Sequence, residues 1–392
     1  MMNTVLPKPS SSKGIATMAL FCLCLFFSVT MPAQRQVAAG TESGTSTFTT
    51  FEVPGAGTAT YEGTYALSIN TAGTVAGYYI DSKFAYHGFV RSSSGTITKF
   101  DAPGAGTEAF DGTYPFSINT AGEIAGWYTD NSGLNHGFVR AADGKITTFE
   151  APGASPATQG TGGLLYGQFT INTAGSIAGY YADSKYVFHG FLRSDTGTAT
   201  TFEAPGSGTV NGEGTYGLGM NTAGDVVGTY VDAGNIYHGM VRASDGKVTD
   251  FSAPGAGTGQ FQGTAGVSIN TAGEISGVYL DKKKVCHGFI RNADGKITTF
   301  DASGAGSTKP DEGTVAISIN SAGTVVGTSI DGSYVDHGFV RAANGTITTF
   351  EAPGAGSKSG QGTSGVSINT SGVVAGFYRD ASTVAHGFVG KP

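Results

Sequence analysis

Histidine occurs seven times in this chain, always as His-Gly: His87, His136, His189, His238, His287, His337 and His386. An aspartate stands six residues before each one: Asp81, Asp130, Asp183, Asp232, Asp281, Asp331 and Asp380. A carboxylate that holds one ring N–H of an imidazole fixes its tautomer. The other ring nitrogen is then ready to act as a base or a metal ligand. The serine of Ser-Ile-Asn (Ser68, Ser117, Ser268, Ser318, Ser367) completes the residue types of a Ser-His-Asp acyl-transfer set. Thr170 and Gly219 take the serine position in two copies, which weakens that set. Repetition weakens it further, because an active site normally breaks symmetry. We read Asp and His as a hydrogen-bonded structural network, with metal binding as the second reading and catalysis as the third.

Other candidates sit in the same frame. Aromatic residues populate the segment before the histidine: Phe84, Tyr86, Tyr186, Phe188, Tyr237 and Tyr334. Their faces suit stacking on a sugar or an apolar ligand, or packing of the segment onto the fold. Arg91, Arg140, Arg193, Arg242, Arg291 and Arg341 follow His-Gly-Phe/Met-aliphatic. An acid follows the phenylalanine of the next segment at Glu52, Asp101, Glu150, Glu203, Asp301 and Glu351, with Ser252 as the exception. These suggest modest ion pairs between units or, less directly, a sugar-binding ring. Cys286 beside His287 has no cysteine counterpart in the other copies and reads as a chance substitution. Loops such as Pro54-Gly-Ala-Gly57 and Pro103-Gly-Ala-Gly106 lack the Lys-Ser/Thr and helix of a phosphate loop. No motif calls for a cofactor.

The elements that must position these residues repeat with the histidines, at spacings of 49, 53, 49, 49, 50 and 49. Each copy holds four short segments: GTxxxxSIN, a piece such as GEIAGWY, HGFVR and KITTF. Segments rich in Val, Ile, Thr, Tyr and Phe between Asn/Asp/Gly turns read as antiparallel strands. None carries a sustained helical period. Asn70, Asn119, Asn172, Asn221, Asn270, Asn320 and Asn369 precede the first turn and suit a side-chain cap. A glycine sits mid-way along the second segment of every copy, as at Gly77 and Gly277, which predicts a backbone approach too close for a Cβ.

Four strands in each of seven copies predict an all-β, seven-bladed propeller. The chain opens with Ser46–Phe51, a KITTF-like segment, and its last copy lacks that segment. Pairing the two would close the ring and remove two exposed edges. KITTF is then outermost and GTxxxxSIN innermost. Connections after the second and fourth strands vary, as at Ser82–Tyr86, Thr107–Phe110, Ser155–Gly163 and Ser307–Glu312. Antiparallel order puts all of these on one face, where binding residues of a rigid scaffold usually sit.

Lys8 and Lys13 precede an apolar run, Ile15–Val29, and small residues follow to Ala39. This pattern reads as a secretory signal peptide over residues 1–39, with a linker over 40–45 and the propeller over 46–392. Cleavage removes Cys22 and Cys24 and leaves Cys286 alone, so no internal disulfide is expected. It also removes Lys8, Lys13 and Arg35 and no acid, moving the formal net charge from −7 to −10. Such a charge argues against nucleic acid or an anionic membrane as partner.

The repeat is similar to that of the HAF-repeat family of bacterial extracellular proteins. Their unit resembles G-x-A-x-x-I-N-x-x-G-x-V-V-G followed by His-Ala-Phe. Here it reads Gly-Val-Ser-Ile-Asn-Thr-Ala-Gly, then Val-Ala-Gly or Val-Val-Gly, then His-Gly-Phe-Val-Arg, over about residues 47–390. Glycine replaces the alanine after His, and Arg stands where an aromatic often does. The resemblance implies export and a propeller, and it carries no reaction or catalytic residue. The expectation is a monomeric, secreted, periplasmic or cell-surface binding module for an extracellular glycan or protein. A propeller hydrolase or lyase with a site at the channel mouth, and a structural envelope protein, are the alternatives.

Overall fold

The computed structural model describes residues 47–154 and 168–392. The expected signal peptide and linker, Ser46, and the whole Ser155–Gly163 connection lie outside the described residues. Within them the chain forms 28 strands and no helix. The first five set the pattern: β1 (Thr47–Phe51), β2 (Gly63–Ile69), β3 (Val75–Ile80), β4 (Tyr86–Arg91) and β5 (Ile97–Phe100). β2 to β5 form the first four-stranded antiparallel unit. Equivalent units follow to the seventh, whose own strands are Gly362–Ile368, Val374–Arg379 and Ala385–Lys391. β1 pairs with Ala385–Lys391, setting Phe51 opposite Gly387. The seventh unit therefore takes its fourth strand from the start of the chain.

The burial pattern explains the sequence of each strand. Second strands such as Val75–Ile80 are buried throughout. They are covered on both faces by neighbouring units, so their apolar run is nearly continuous rather than alternating. Fourth strands such as Ile97–Phe100 alternate and leave their central residues exposed. A Cβ on Gly77 would lie 2.0 Å from the Tyr65 carbonyl oxygen, and on Gly277 2.2 Å from that of Ala265. The recurrent glycine is thus a contact requirement. Opposite it the first strand carries a register shift, between Ala66 and Ser68 in the first unit.

Units are tied to each other at two levels. Thr64 Oγ1 accepts the Val53 amide at 3.0 Å and donates to Glu52 at 3.1 Å. The same threonine recurs, fully buried, as Thr113, Thr215, Thr264, Thr314 and Thr363. At the inner edge Ser68 Oγ accepts the Ile118 amide at 3.2 Å, and Ser367 Oγ accepts the Ile69 amide at 3.2 Å. Asn70 Oδ1 caps its own turn, while its amide donates to the Asn119 carbonyl of the next unit.

Candidate functional site

The histidines face their aspartates. His Nε2 lies 2.9 to 3.9 Å from Asp Oδ2 in all seven units. Asp81 Oδ1 meanwhile accepts the amides of Lys83 and Ala85, closing the turn. Burial pushes the Asp81 carboxyl up, but those amides and His87 outweigh it and hold it below the usual carboxylate range. In six units the other ring nitrogen is also engaged. His87 Nδ1 meets Asp101 at 3.1 Å, and the same contact joins His136 to Glu150, His189 to Glu203, His287 to Asp301, His337 to Glu351 and His386 to Glu52. The Asp101 hydrogen bond, against a smaller loss from burial, holds His87 above the usual imidazole range.

This corrects the expected pairing of those acids with arginine. In β4, Arg91 lies level with Ile97, whereas the acid follows Phe100 and lies level with His87. The strand separates the two charges. The guanidiniums stack on the phenylalanine of the preceding unit instead, as Arg91 over Phe51 at 4.9 Å and Arg140 over Phe100 at 4.9 Å.

The Ser-His-Asp set is not assembled. In the first unit Ser68 pairs with Ala76, while His87 pairs with Tyr79, which is level with Thr64. Serine and histidine therefore sit at opposite ends and two strands apart. In six units both imidazole nitrogens lie within 4 Å of a carboxylate, so neither is left open towards a substrate; at His238 Ser252 stands in place of the second acid. Among the described residues no three His, Cys, Asp and Glu side chains converge on one point as metal ligands.

The aromatic candidates divide by strand alternation. Tyr86, Phe188 and Tyr237 begin third strands and point away from the histidine face. Phe188 and Tyr237 are buried and Tyr86 half-buried, packed between units; Tyr86 stacks on Tyr114 at 4.4 Å. Cys286, a buried thiol outside any disulfide, shares that position. Phe84, Tyr186 and Tyr334 lie on the variable loops, with φ of 62°, 60° and 60°. Each is clasped through its carbonyl by the loop that follows the fourth strand. The Phe110 amide donates to Phe84, Gly212 to Tyr186 and Gly360 to Tyr334. Tyr61 to Thr383, Phe261 to Asn235 and Asp311 to Lys284 repeat the clasp.

The clasps form one continuous pattern on one face. Ten non-glycine residues have positive φ among the described residues, and all ten belong to these clasps. A left-handed conformation costs a bulky residue roughly 1–2 kcal/mol. Sequence reasoning missed half of this arrangement, the residue two before Gly-Thr: Tyr61, Phe110, Phe261 and Asp311. Phe110, 63% exposed, lies against Phe84 with ring centroids 6.1 Å apart. Lys284 Nζ sits 5.3 Å over the Phe261 ring.

Two inner features differ in kind. The first strands enclose an axial cavity of about 160 Å³, lined by Leu67, Phe116, Leu218 and their equivalents with Ser117, Ser268 and Ser367. It is smaller than the roughly 300 Å³ at which small-molecule sites begin. Between the sixth and seventh units an ion pair stands where Phe188 and Val231, or Tyr237 and Leu280, bring apolar side chains together in other units. Arg379 meets Asp336 at 3.4 Å, with side chains 2% and 5% exposed, and Ser364 donates to Asp336 at 3.3 Å. Burial outweighs Arg379 and pushes the Asp336 carboxyl up to about 6.

Comparison with solved structures gives the architecture. The chain is similar to BP39L lectin from Burkholderia pseudomallei, at 8% identity and a TM-score of 0.55 over 83% of this chain and 96% of that one. It also resembles the β-propeller domain of the Trilobed protease from Pyrococcus furiosus, at 11% identity and a TM-score of 0.50 over 83% and 95%. The fold is propeller-like. Against TolB from Acinetobacter baumannii the identity is 13% and the TM-score 0.47, over 70% of this chain, which spans 62% of the length of that protein. No family model and no curated protein matches.

Proposed function

We propose that this chain is a secreted, closed seven-bladed β-propeller that binds an extracellular glycan or protein through its variable-loop face. Four-stranded units, the pairing of β1 with Ala385–Lys391, and propeller neighbours support the architecture. The signal-like N-terminus and the likeness to HAF repeats support export.

The observation that carries the binding reading is the confinement of all ten left-handed non-glycine residues to the loop clasps. Strain held on a rigid scaffold is characteristic of sites where side chains are presented to a partner. Phe84 and the exposed Phe110 lie ring to ring there, and an aromatic face suits the apolar face of a sugar ring. A lectin among the fold neighbours supports a glycan as the partner. The hydrolase reading is weaker, since six of the seven histidines have a carboxylate at both ring nitrogens and Asp336 pairs with Arg379.

A glycan array probed with the secreted chain tests this. Binding to one class of extracellular polysaccharide, lost in the Phe84→Gly, Phe110→Gly double variant, is expected. An array with no bound class removes the glycan reading.

A further inference from the structure

Three of the acids that meet a histidine also join two units. Glu52, Glu203 and Glu351 each reach the imidazole Nδ1 of their own unit with one oxygen, at His386, His189 and His337. With the other oxygen each accepts the buried threonine hydroxyl of the next unit: Thr64 at 3.1 Å, Thr215 at 2.9 Å and Thr363 at 2.7 Å. The six acids at this position have side chains 48 to 54% exposed. Their carboxylates therefore lie at the surface, at the strand ends that carry the variable loops.

Between the fourth and fifth units the acid is absent and both donors remain. Ser252 stands in its place and is itself exposed. His238 is held firmly at its other nitrogen. Its Nε2 lies 2.9 Å from Asp232, against 3.3 to 3.9 Å in the other six units. Its ring lies on Tyr230 with centroids 4.7 Å and planes 13° apart. Among the described residues no carboxylate comes within 4 Å of its Nδ1. Thr264 is fully buried, and its Oγ1 accepts the Ala253 amide at 2.9 Å as its counterparts do. Its hydroxyl has no acid to donate to.

The internal acids define the chemistry of a ligand. One carboxylate accepts from an imidazolium and a hydroxyl at once, and such charge-assisted hydrogen bonds are about twice as strong as neutral ones. Donors already fixed in place spare the cost of ordering them. We propose that the seam between the fourth and fifth units binds the carboxylate of a small ligand, with His238 Nδ1 donating to one oxygen and Thr264 Oγ1 to the other. A simple carboxylic acid and a sugar acid share this chemistry. The site lies three units from Phe84 and does not depend on the aromatic surface there. Asp232 keeps a proton on Nε2, so Nδ1 donates only in the imidazolium form and binding takes up a proton. Asp232, Tyr230 and, from the fourth strand, Asp250 are the titratable groups around that ring.

The test is an acetate titration of the full chain, followed by the imidazole NMR signals. One saturable site is expected, with His238 shifting and the other six histidines unmoved. Ser252→Glu restores the acid of the other seams and should weaken acetate binding roughly tenfold or more. Glu203→Ser should open the equivalent place at His189 and Thr215, so that a second histidine shifts. Affinity should fall as pH rises from about 6 to about 8, by up to about tenfold per unit. Glucuronate distinguishes the sources: tighter binding than acetate indicates a sugar acid, and binding no tighter indicates a simple carboxylic acid. No saturable shift at His238, equal binding by Ser252→Glu, or an affinity that does not change with pH would overturn the proposal.

Discussion

The side-chain amide of Asn369 donates to the backbone carbonyl of Asn70 across 3.1 Å, joining residues 299 positions apart. The same bond runs from Asn70 to Asn119, Asn119 to Asn172, Asn172 to Asn221, Asn270 to Asn320 and Asn320 to Asn369. Each of these six asparagines thus holds its own turn and the next unit at once. Asn369→Ala removes that link and the bonds from Ser371 and Val373 to Oδ1. With the site buried, a loss of about 2–4 kcal/mol is expected. Urea unfolding monitored by circular dichroism measures it, and a loss below about 1 kcal/mol would mean the belt is incidental.

The Asp336–Arg379 pair makes a sharper prediction. Removing either partner leaves an uncompensated buried charge, so Asp336→Ala and Arg379→Ala should each cost about 3–5 kcal/mol. Between the fourth and fifth units the same positions are Tyr237 and Leu280, both buried in one apolar cluster. The double variant Asp336→Tyr, Arg379→Leu should therefore be neutral or up to about 4 kcal/mol more stable. A double-mutant cycle by denaturant unfolding decides this, and additive losses would contradict the argument.

Much of this was legible in the sequence because the constraints repeat. Gly277 is recognisable as a contact glycine because six other copies have it. β1 is recognisable as a displaced fourth strand because the last copy ends at His386-Gly-Phe-Val. The pairing of His87 with Asp101 was concealed by a conspicuous alternative, the arginine. Register resolves it, since four residues of strand, at about 3.3 Å each, separate Arg91 from the acid. Alternation likewise places Tyr86, Phe188 and Tyr237 on the face opposite their histidines. Phe110 gave no local signal, because phenylalanine is not a turn-forming residue. Only its alignment with Tyr61 and Phe261, two before Gly-Thr, marks it.

Protonation should make stability fall as pH rises. His87, His287 and His386 are held above the usual 6.5, and His337 at about 10, mainly by their carboxylate partners. A raised imidazole contributes stability that is complete below the unfolded pKa and is lost as pH rises through the folded one. For His337 that window runs from about 6.5 to about 10. Asp311 and Asp336, raised by burial to about 6, act in the same direction between 3.8 and 6. Asp81, Asp130, Asp183, Asp232, Asp331 and Asp380 are held below 3.8 and oppose this only in acid, where their contribution is lost as pH falls. Urea midpoints should therefore peak near pH 4 and decline towards pH 10. His337→Gln should flatten the alkaline part of that decline, and an unchanged slope would show that His337 is not clasped as described.

The left-handed loop residues separate folding from function most directly. Glycine reaches φ near +60° without a Cβ penalty, and the equivalent positions already use it at Gly133, Gly212 and Gly360, with φ of 76°, 86° and 77°. Phe84→Gly relieves strain worth roughly 1–2 kcal/mol but gives part of it back in unfolded-chain entropy. A net gain of about 0.5–1 kcal/mol is expected. Phe110 is 63% exposed, so Phe110→Gly loses little packing and should gain as much. If these phenylalanines are kept for a partner, each variant unfolds at higher urea than the parent and retains less ligand. If both instead lose stability, the rings serve as packing for the clasp and the loop face needs no partner to account for them. Urea midpoints read beside binding to the array-positive glycan separate the two outcomes, because strain relief and ligand loss then move in opposite directions in one protein.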